Sequence, residues 1–245
     1  MTAPEKIIAV ALNEKGQFAV LTQGTQGYTV QVTVYDRKGV PLYSRSRNLL
    51  ATDVALSADG RQVALLSVEA ENGVLHSVVE AFSLSSTDAE ALISYTAQDT
   101  LLYRLAYQRN GRLAAVGENG ALVLDNSGNP PEIYSAGDGR VLGYAAGDNC
   151  LALAVRRYGD TTDGQVTVLD GAGRERCTVP FTGEFRHLSA DGHRFLLLTN
   201  GQAQIITTAG AGKSATLAAD GQQAVLSGNS AIVLGLNAIQ SYPLS

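Results

Sequence analysis

An all-β fold of repeated four-stranded antiparallel sheets is what this sequence predicts, on three observations. Tight-turn signals recur along the chain at Gly16, Gly60, Gly111, Asn149, Gly192 and Asn229, with spacings of 44, 51, 38, 43 and 37 residues. Each is followed by a nearly continuous apolar run. The composition favours strand: Val, Ile, Leu, Tyr and Thr are plentiful, and 26 glycines are spread along 245 residues without a helix-like Glu/Lys/Ala window. A period of about 40–45 residues with four short strands per unit is the spacing of β-propeller blades.

The first turn of each unit carries its own chemistry. Ala58-Asp59-Gly60, Asn110-Gly111 and Ala190-Asp191-Gly192 place Gly where a tight hairpin needs positive φ. The second strands then read Gln17–Thr22, Gln62–Leu66, Leu113–Val116, Cys150–Val155, Phe195–Leu198 and Ala231–Leu234. A strand covered on one face alternates apolar with polar residues, so these uninterrupted runs predict cover on both faces.

Third strands end on a repeated turn. Thr33–Gly39, Leu122–Gly128 and Thr167–Gly173 all hold Asp before a Gly, and Ile205–Gly212 is the same unit without its Asp. An Asp there can accept from the backbone amide two residues on. Fourth strands are expected at Val40–Tyr43, Glu90–Ser94, Glu132–Tyr134, Arg176–Val179 and Ala215–Leu217. Prolines at 41, 130, 131 and 180 fit an outermost strand, which can spare a donor. The sum is five full units and a three-stranded sixth within one domain, 1–245, with blades near 5–48, 49–98, 99–138, 139–183, 184–219 and 220–245. The sixth lacks its fourth strand: either residues before Ile7 supply it and close a six-bladed ring, or blades upstream are absent here.

Charge and cysteines narrow the partners. The net charge is −5 with a pI near 5.2, and no basic stripe marks a nucleic-acid surface. Cys150 and Cys177 fall on the second and fourth strands of one sheet, about 9–10 Å apart at twice the strand spacing, so two free thiols are expected. Ile7–Leu12, the first apolar run, is far shorter than the roughly 18 residues of a membrane span, and no signal peptide is visible.

The turns at Ala58-Asp59-Gly60 and Ala190-Asp191-Gly192, each leading into an apolar strand, resemble WD-repeat-like and YVTN-type bacterial propellers, though the chain has no Trp for a Trp-Asp dipeptide. Ile8–Gly16, Val32–Gly39 and Asp53–Gly60 further resemble the C-terminal part of a domain-of-unknown-function propeller family of Gram-positive gut bacteria. That resemblance implies an N-terminal membrane anchor, further propeller sequence before this region, and display outside the membrane at the cell surface.

Four motifs invite a chemical reading. Ala209–Ser214 has the Gly-Lys-Ser of a phosphate loop, but Thr207 stands where the motif needs Gly, and a strand rather than a helix follows; a hairpin is expected. Asp160-Thr161-Thr162-Asp163-Gly164 has carboxylates at a calcium-loop spacing without further acids, and reads as a solvated loop like Gln23–Gly27 and Glu69–Gly73. His187 and His193 flank one turn with His76 remote, so no metal site and no cofactor are expected. The remaining constellation is a rim. Connections from fourth to first and second to third strands carry Arg45, Arg47, Arg104, Arg140, Arg186 and His187, with Tyr103 and Tyr144 nearby. Of these Arg47, Arg104, Arg140, Arg186 and His187 are the candidate ligand-binding residues. They could hold an anion, or be solvated charges beside Asp53, Asp99, Asp138 and Glu184.

The functional expectation is a non-catalytic module that binds a protein, peptide or glycan over the loop-rich channel face. The alternatives are a hydrolase- or lactonase-type propeller enzyme with a channel active site, and a structural module that pairs through an open blade edge.

Overall fold

The structure, a computed structural model, describes residues 6–24, 27, 29–86, 90–98, 100–127, 129–217 and 221–244. Asp99, Gly128 and residues 25–26 of the Gln23–Gly27 loop lie outside the described residues. No helix occurs among the described residues; there are 23 strands in six antiparallel sheets.

The first sheet is β1 (Ile7–Leu12), β2 (Phe18–Gln23), β3 (Val30–Tyr35) and β4 (Pro41–Arg47). The second is β5 (Leu50–Leu56), β6 (Gln62–Glu71), β7 (Val74–Ser83) and β8 (Ile93–Ala97). The third is β9 (Leu102–Tyr107), β10 (Leu113–Gly117), β11 (Gly120–Leu124) and β12 (Glu132–Ser135). The fourth is β13 (Gly139–Ala146), β14 (Cys150–Arg157), β15 (Gly164–Asp170) and β16 (Glu175–Phe181). The fifth is β17 (Phe185–Asp191), β18 (Arg194–Thr199), β19 (Gln202–Thr207) and β20 (Gly210–Thr216). The sixth has three strands, β21 (Gly221–Ser227), β22 (Ser230–Gly235) and β23 (Ile239–Pro243). Each sheet follows chain order, as in a β-propeller blade, and the sixth shows three strands among the described residues.

The chain forms two compact units, residues 1–117 with 124–130, and residues 118–123 with 131–245. In the first unit β5 neighbours both β1 and β9; in the second β17 neighbours both β13 and β21. Sheets therefore stack through their first strands.

Local chemistry explains the ladders. In the third-strand turns, Asp36 Oδ1 accepts from the amides of Lys38 and Val40 at 2.8 Å each. Asp170 Oδ1 accepts from Ala172 and Arg174 at 2.9 and 3.0 Å. Where the Asp is lost, Thr207 Oγ1 takes the amide of Ala209 at 3.2 Å. Burial pushes the Asp170 carboxyl up, but those two amides and the Arg176 guanidinium outweigh it and hold it below the usual carboxylate range.

Several strand bounds differ from the sequence reading. Glu69–Gly73 is no loop: β6 and β7 run on to a two-residue turn at Asn72 (φ 51°) and Gly73 (φ 81°), the left-handed pair a tight hairpin requires. The fourth strand of the second sheet is Ile93–Ala97 rather than Glu90–Ser94, because Ile93 pairs with Ala81 and its apolar side chain faces the core. In the sixth sheet the left-handed position is Gly228 (φ 60°), one residue before Asn229. The rim residues, expected in connections, all lie on strands: Arg45 and Arg47 on β4, Arg104 on β9, Arg140 on β13, Arg186 and His187 on β17. Cys150 and Cys177 are free, on β14 and β16.

Cover is uneven between sheets. Every residue of β10 is buried, as are the first seven of β14 and the last five of β18. β2 and β22 instead alternate buried with partly exposed residues, so each has one covered face. Two-face cover, expected for all second strands, fails for these two. The uncovered face of the first sheet carries Val10, Leu12 and a stacked Phe18–Tyr35 pair with ring centroids 5.0 Å apart.

Candidate functional site

All six first strands carry a one-residue bulge at the same place in the blade. The register skips Ile8, Thr52, Tyr103, Leu142, Arg186 and Gln222. A bulge kinks the strand and re-aims the side chains around it. Three of the residues just after it reach the next sheet. Asp53 Oδ2 accepts the amide of Leu105 at 2.7 Å. Gly143 leaves room for the Phe185 ring, since a Cβ there would sit 2.5 Å from Phe185 Cζ. His187 Nδ1 lies 3.1 Å from the carbonyl oxygen of Ala224.

Leu105 and Ala224 each stand one residue beyond the post-bulge positions Arg104 and Gln223. A carboxylate in one unit and an imidazole in the other thus tie equivalent sheet pairs together.

Asp53 has a pH signature. Burial pushes its carboxyl above the ordinary 3.8, against the Leu105 and Val54 amides and the Arg104 charge, which pull it down. The folded state therefore holds this proton more tightly than the unfolded chain. Its contribution is fully present below pH 3.8 and is lost as pH rises through the folded value. Asp53→Asn keeps an acceptor for Leu105 without a charge to desolvate. It should match or exceed the parent in urea unfolding at pH 7, with the advantage shrinking toward pH 4. Asp53→Leu leaves the Leu105 amide orphaned and should cost about 1–3 kcal/mol.

The rim arginines are spread among separate tasks. Arg47 pairs with both carboxylate oxygens of Glu80, at 2.7 and 2.8 Å, and its guanidinium lies 5.5 Å from the Phe82 ring centroid. Arg45 stacks on the same ring at 4.1 Å. Arg104 donates to the Tyr103 carbonyl at 2.9 Å. Arg186 pairs with Glu184 at 3.0 Å. Arg140 is exposed beside Tyr158, whose hydroxyl bonds Glu118 at 2.8 Å.

Two of the other motifs resolve as local structure. Ala209–Ser214 belongs to the β19–β20 hairpin, with Lys213 and Ser214 on β20. His193 lies 3.9 Å from Asp148, away from the His187 contact to Ala224.

A residue the sequence reading missed organises the second unit. Arg156, 6 % exposed, donates to the carbonyls of Thr161 (2.8 Å), Thr162 (3.2 Å) and Gly183 (2.8 Å), and lies 5.7 Å from the Phe181 ring centroid. One buried guanidinium thus pins the β14–β15 loop to the β16–β17 connection. Its only sequence mark is an Arg closing an apolar run, where alternation would set it outward.

That pinned loop forms one wall of an open groove of about 420 Å³. Ala136 and Asp138 of the β12–β13 connection and Gly139 at the start of β13 form the other wall, with Arg157, Asp160, Asp163 and Gln165 along the loop side. Gly164 at the start of β15 has no room for a side chain, since a Cβ there would meet the ring of its cross-strand partner Phe181 at 2.5 Å. Arg157 lies 3.6 Å from Asp138. Among the described residues, Asp160 and Asp163 make no ion pair or side-chain hydrogen bond, and both are exposed. Three carboxylates against one guanidinium give the groove a negative field. The described residues hold no cluster of three His, Cys, Asp or Glu that could grip a metal ion. No helix among them is long and apolar enough to cross a membrane.

Comparison with solved structures gives the fold. The chain is similar to a Kuenenia stuttgartiensis hydrazine synthase chain (10 % identity, TM-score 0.60, covering 97 % of this chain and 83 % of that one). It is also similar to the Neurospora crassa Pan2 WD40 domain (12 %, 0.56, 94 % and 86 %). A third likeness is to the Dos1 propeller (11 %, 0.59, 95 % and 69 %). No curated protein sequence matches the chain. The family is shown by sequence: residues 1–241 match the family of unknown function DUF5711, and the chain belongs to it.

Proposed function

We propose that this chain is a non-catalytic binding propeller, acting as one domain over 1–245, that docks a protein, peptide or glycan at the groove of the fourth sheet. The observation that carries this reading is the groove itself. It lies where a fourth-to-first and a second-to-third strand connection meet, and it offers two unengaged carboxylates. Asp53 and His187 are already engaged in holding neighbouring sheets together. The field of the groove favours amines or hydroxyl-rich groups over anions. The resemblance to membrane-anchored bacterial propellers supports display outside the membrane as part of a longer protein.

The test is a thermal-shift titration of the full chain with hexalysine, a neutral chito-oligosaccharide and a sugar acid. A ligand at 100 times its dissociation constant adds roughly 2.7 kcal/mol. The expected result is a shift with the amine or the neutral sugar that disappears in Asp160→Asn/Asp163→Asn. A shift with the sugar acid alone overturns the groove reading and returns attention to Arg140. Turnover of a lactone or ester would overturn the non-catalytic one.

A further inference from the structure

The β6–β7 hairpin of the second sheet is built longer than its neighbours. Its two strands have ten residues each, where the other second and third strands have five to eight. β5 pairs with β6 as far as Leu50–Val68, and β8 with β7 as far as Ala97–Ser77. Beyond those rungs Glu69–His76, Ala70–Leu75 and Glu71–Val74 pair with each other and, among the described residues, with no further strand. Three rungs at the rise of a strand carry this arm about 10 Å past its sheet. Opposite residues of an antiparallel pair share a face, and faces alternate along the strand. One face of the arm therefore carries Ala70 and Leu75, in line with Leu50 and Ser77. Ser77 Oγ accepts the amide of Leu102 at 2.9 Å, which brings this face to the start of β9, next to Leu101. The other face carries Glu69, Glu71, Val74 and the half-buried His76. Leu50, Val74, Leu75 and Leu101 are each more than half exposed. Glu69 and Glu71 are exposed as well, and among the described residues neither makes an ion pair or a side-chain hydrogen bond.

Aliphatic side chains held out of a sheet on a hairpin and flanked by polar groups mark an interaction surface. Charge says what that surface meets. Cover by packed sequence of the same chain would strip water from two carboxylates that have no partner, which is costly. A reversible interface keeps such groups at its rim, where a cation can approach them. The chain as a whole is acidic, at −5, so a second copy is repelled and a basic partner is drawn in. We propose that the β6–β7 arm docks a partner protein whose contact surface places aliphatic or aromatic side chains beside lysines or arginines. The apolar side chains cover Leu50, Leu75 and Leu101, and the cations meet Glu69 and Glu71. The arm belongs to the second sheet and shares no residue with the fourth-sheet groove.

The probe is a fluorescein-labelled peptide that alternates Leu with Lys, titrated by anisotropy onto the full chain. The chain carries Asp160→Asn/Asp163→Asn, so that the fourth-sheet groove contributes nothing and the two proposals fail separately. Saturable binding is expected, and peptides alternating Leu with Glu or Ser with Lys should bind roughly tenfold more weakly or worse. Leu75→Ser should weaken the Leu-Lys peptide by a similar factor. Glu69→Lys/Glu71→Lys should reverse the preference in favour of the Leu-Glu peptide, which a merely adhesive surface would not do. Leu75→Ser should leave the urea unfolding midpoint where it was, because solvent already reaches that side chain. A lowered midpoint would mean that the chain's own sequence covers Leu75, and overturns the proposal. Absence of saturable binding overturns it, as does equal binding by the unaltered arm and both arm variants. A dimer in sedimentation that Leu75→Ser dissociates assigns the arm to a second copy of the chain, and overturns it too. So does binding to phosphatidylcholine vesicles that Leu75→Ser abolishes, with no binding of the peptide, which assigns the arm to a membrane.

Discussion

Arg156→Ala is expected to lower the unfolding free energy by about 3–4 kcal/mol, a fall of roughly 6–15 °C in Tm for a chain of this size. A hydrogen bond from a charged donor contributes about 1.5–3 kcal/mol, and Arg156 makes three to backbone carbonyls. The three share one side chain, so their losses do not add in full. Relief of the buried charge offsets part of the total. Arg156→Lys should recover less than half, because a single ammonium cannot span three carbonyls on two loops. Hydrogen exchange should locate the damage, with protection lost at residues 158–163 and kept in β18. Since this loop walls the fourth-sheet groove, Arg156→Ala should also abolish ligand binding there. Asp160→Asn/Asp163→Asn should remove binding with stability unchanged. If Arg156→Ala melts with the parent, the guanidinium does not hold the loops.

The repeat was legible because its signals are local. Asp-Gly and Asn-Gly turns, apolar second strands and Asp-led third-strand turns each follow from a few neighbouring residues, and together they predict six sheets with the last one short. The bulges were not legible. A single skipped residue leaves no mark in composition, yet it decides that Asp53 and His187 face a neighbouring sheet. The arginines escaped for a related reason. Whether Arg47 meets Glu80 depends on a residue 33 positions away on another sheet. Arg156 reads as the polar end of β14 until two loops fold over it. The calcium-loop spacing Asp160–Asp163 drew notice in sequence, and the same residues line the groove, though what places them there is Arg156 rather than their own pattern.

β2 and β18 look alike in sequence, but a run shows what a strand is able to bury, not what is present to cover it. Leu197 in β18 is 1 % exposed and packs in one cluster with Leu188, Phe195 and Ile206. Leu12 on the free face of the first sheet is 72 % exposed. Leu197→Ala removes contacts on all sides and leaves a cavity in a sheet held by neighbours, so about 3–5 kcal/mol should be lost. Leu12→Ala removes a side chain that solvent already reaches, and should cost less than about 0.5 kcal/mol. Urea unfolding of both variants measures the contrast directly. Equal losses would mean that the face bearing Leu12 is covered in solution. A small loss for Leu12→Ala in the isolated chain that grows when a binding partner is added would identify that face as covered by the partner, because burial then depends on what is bound and not on the strand itself.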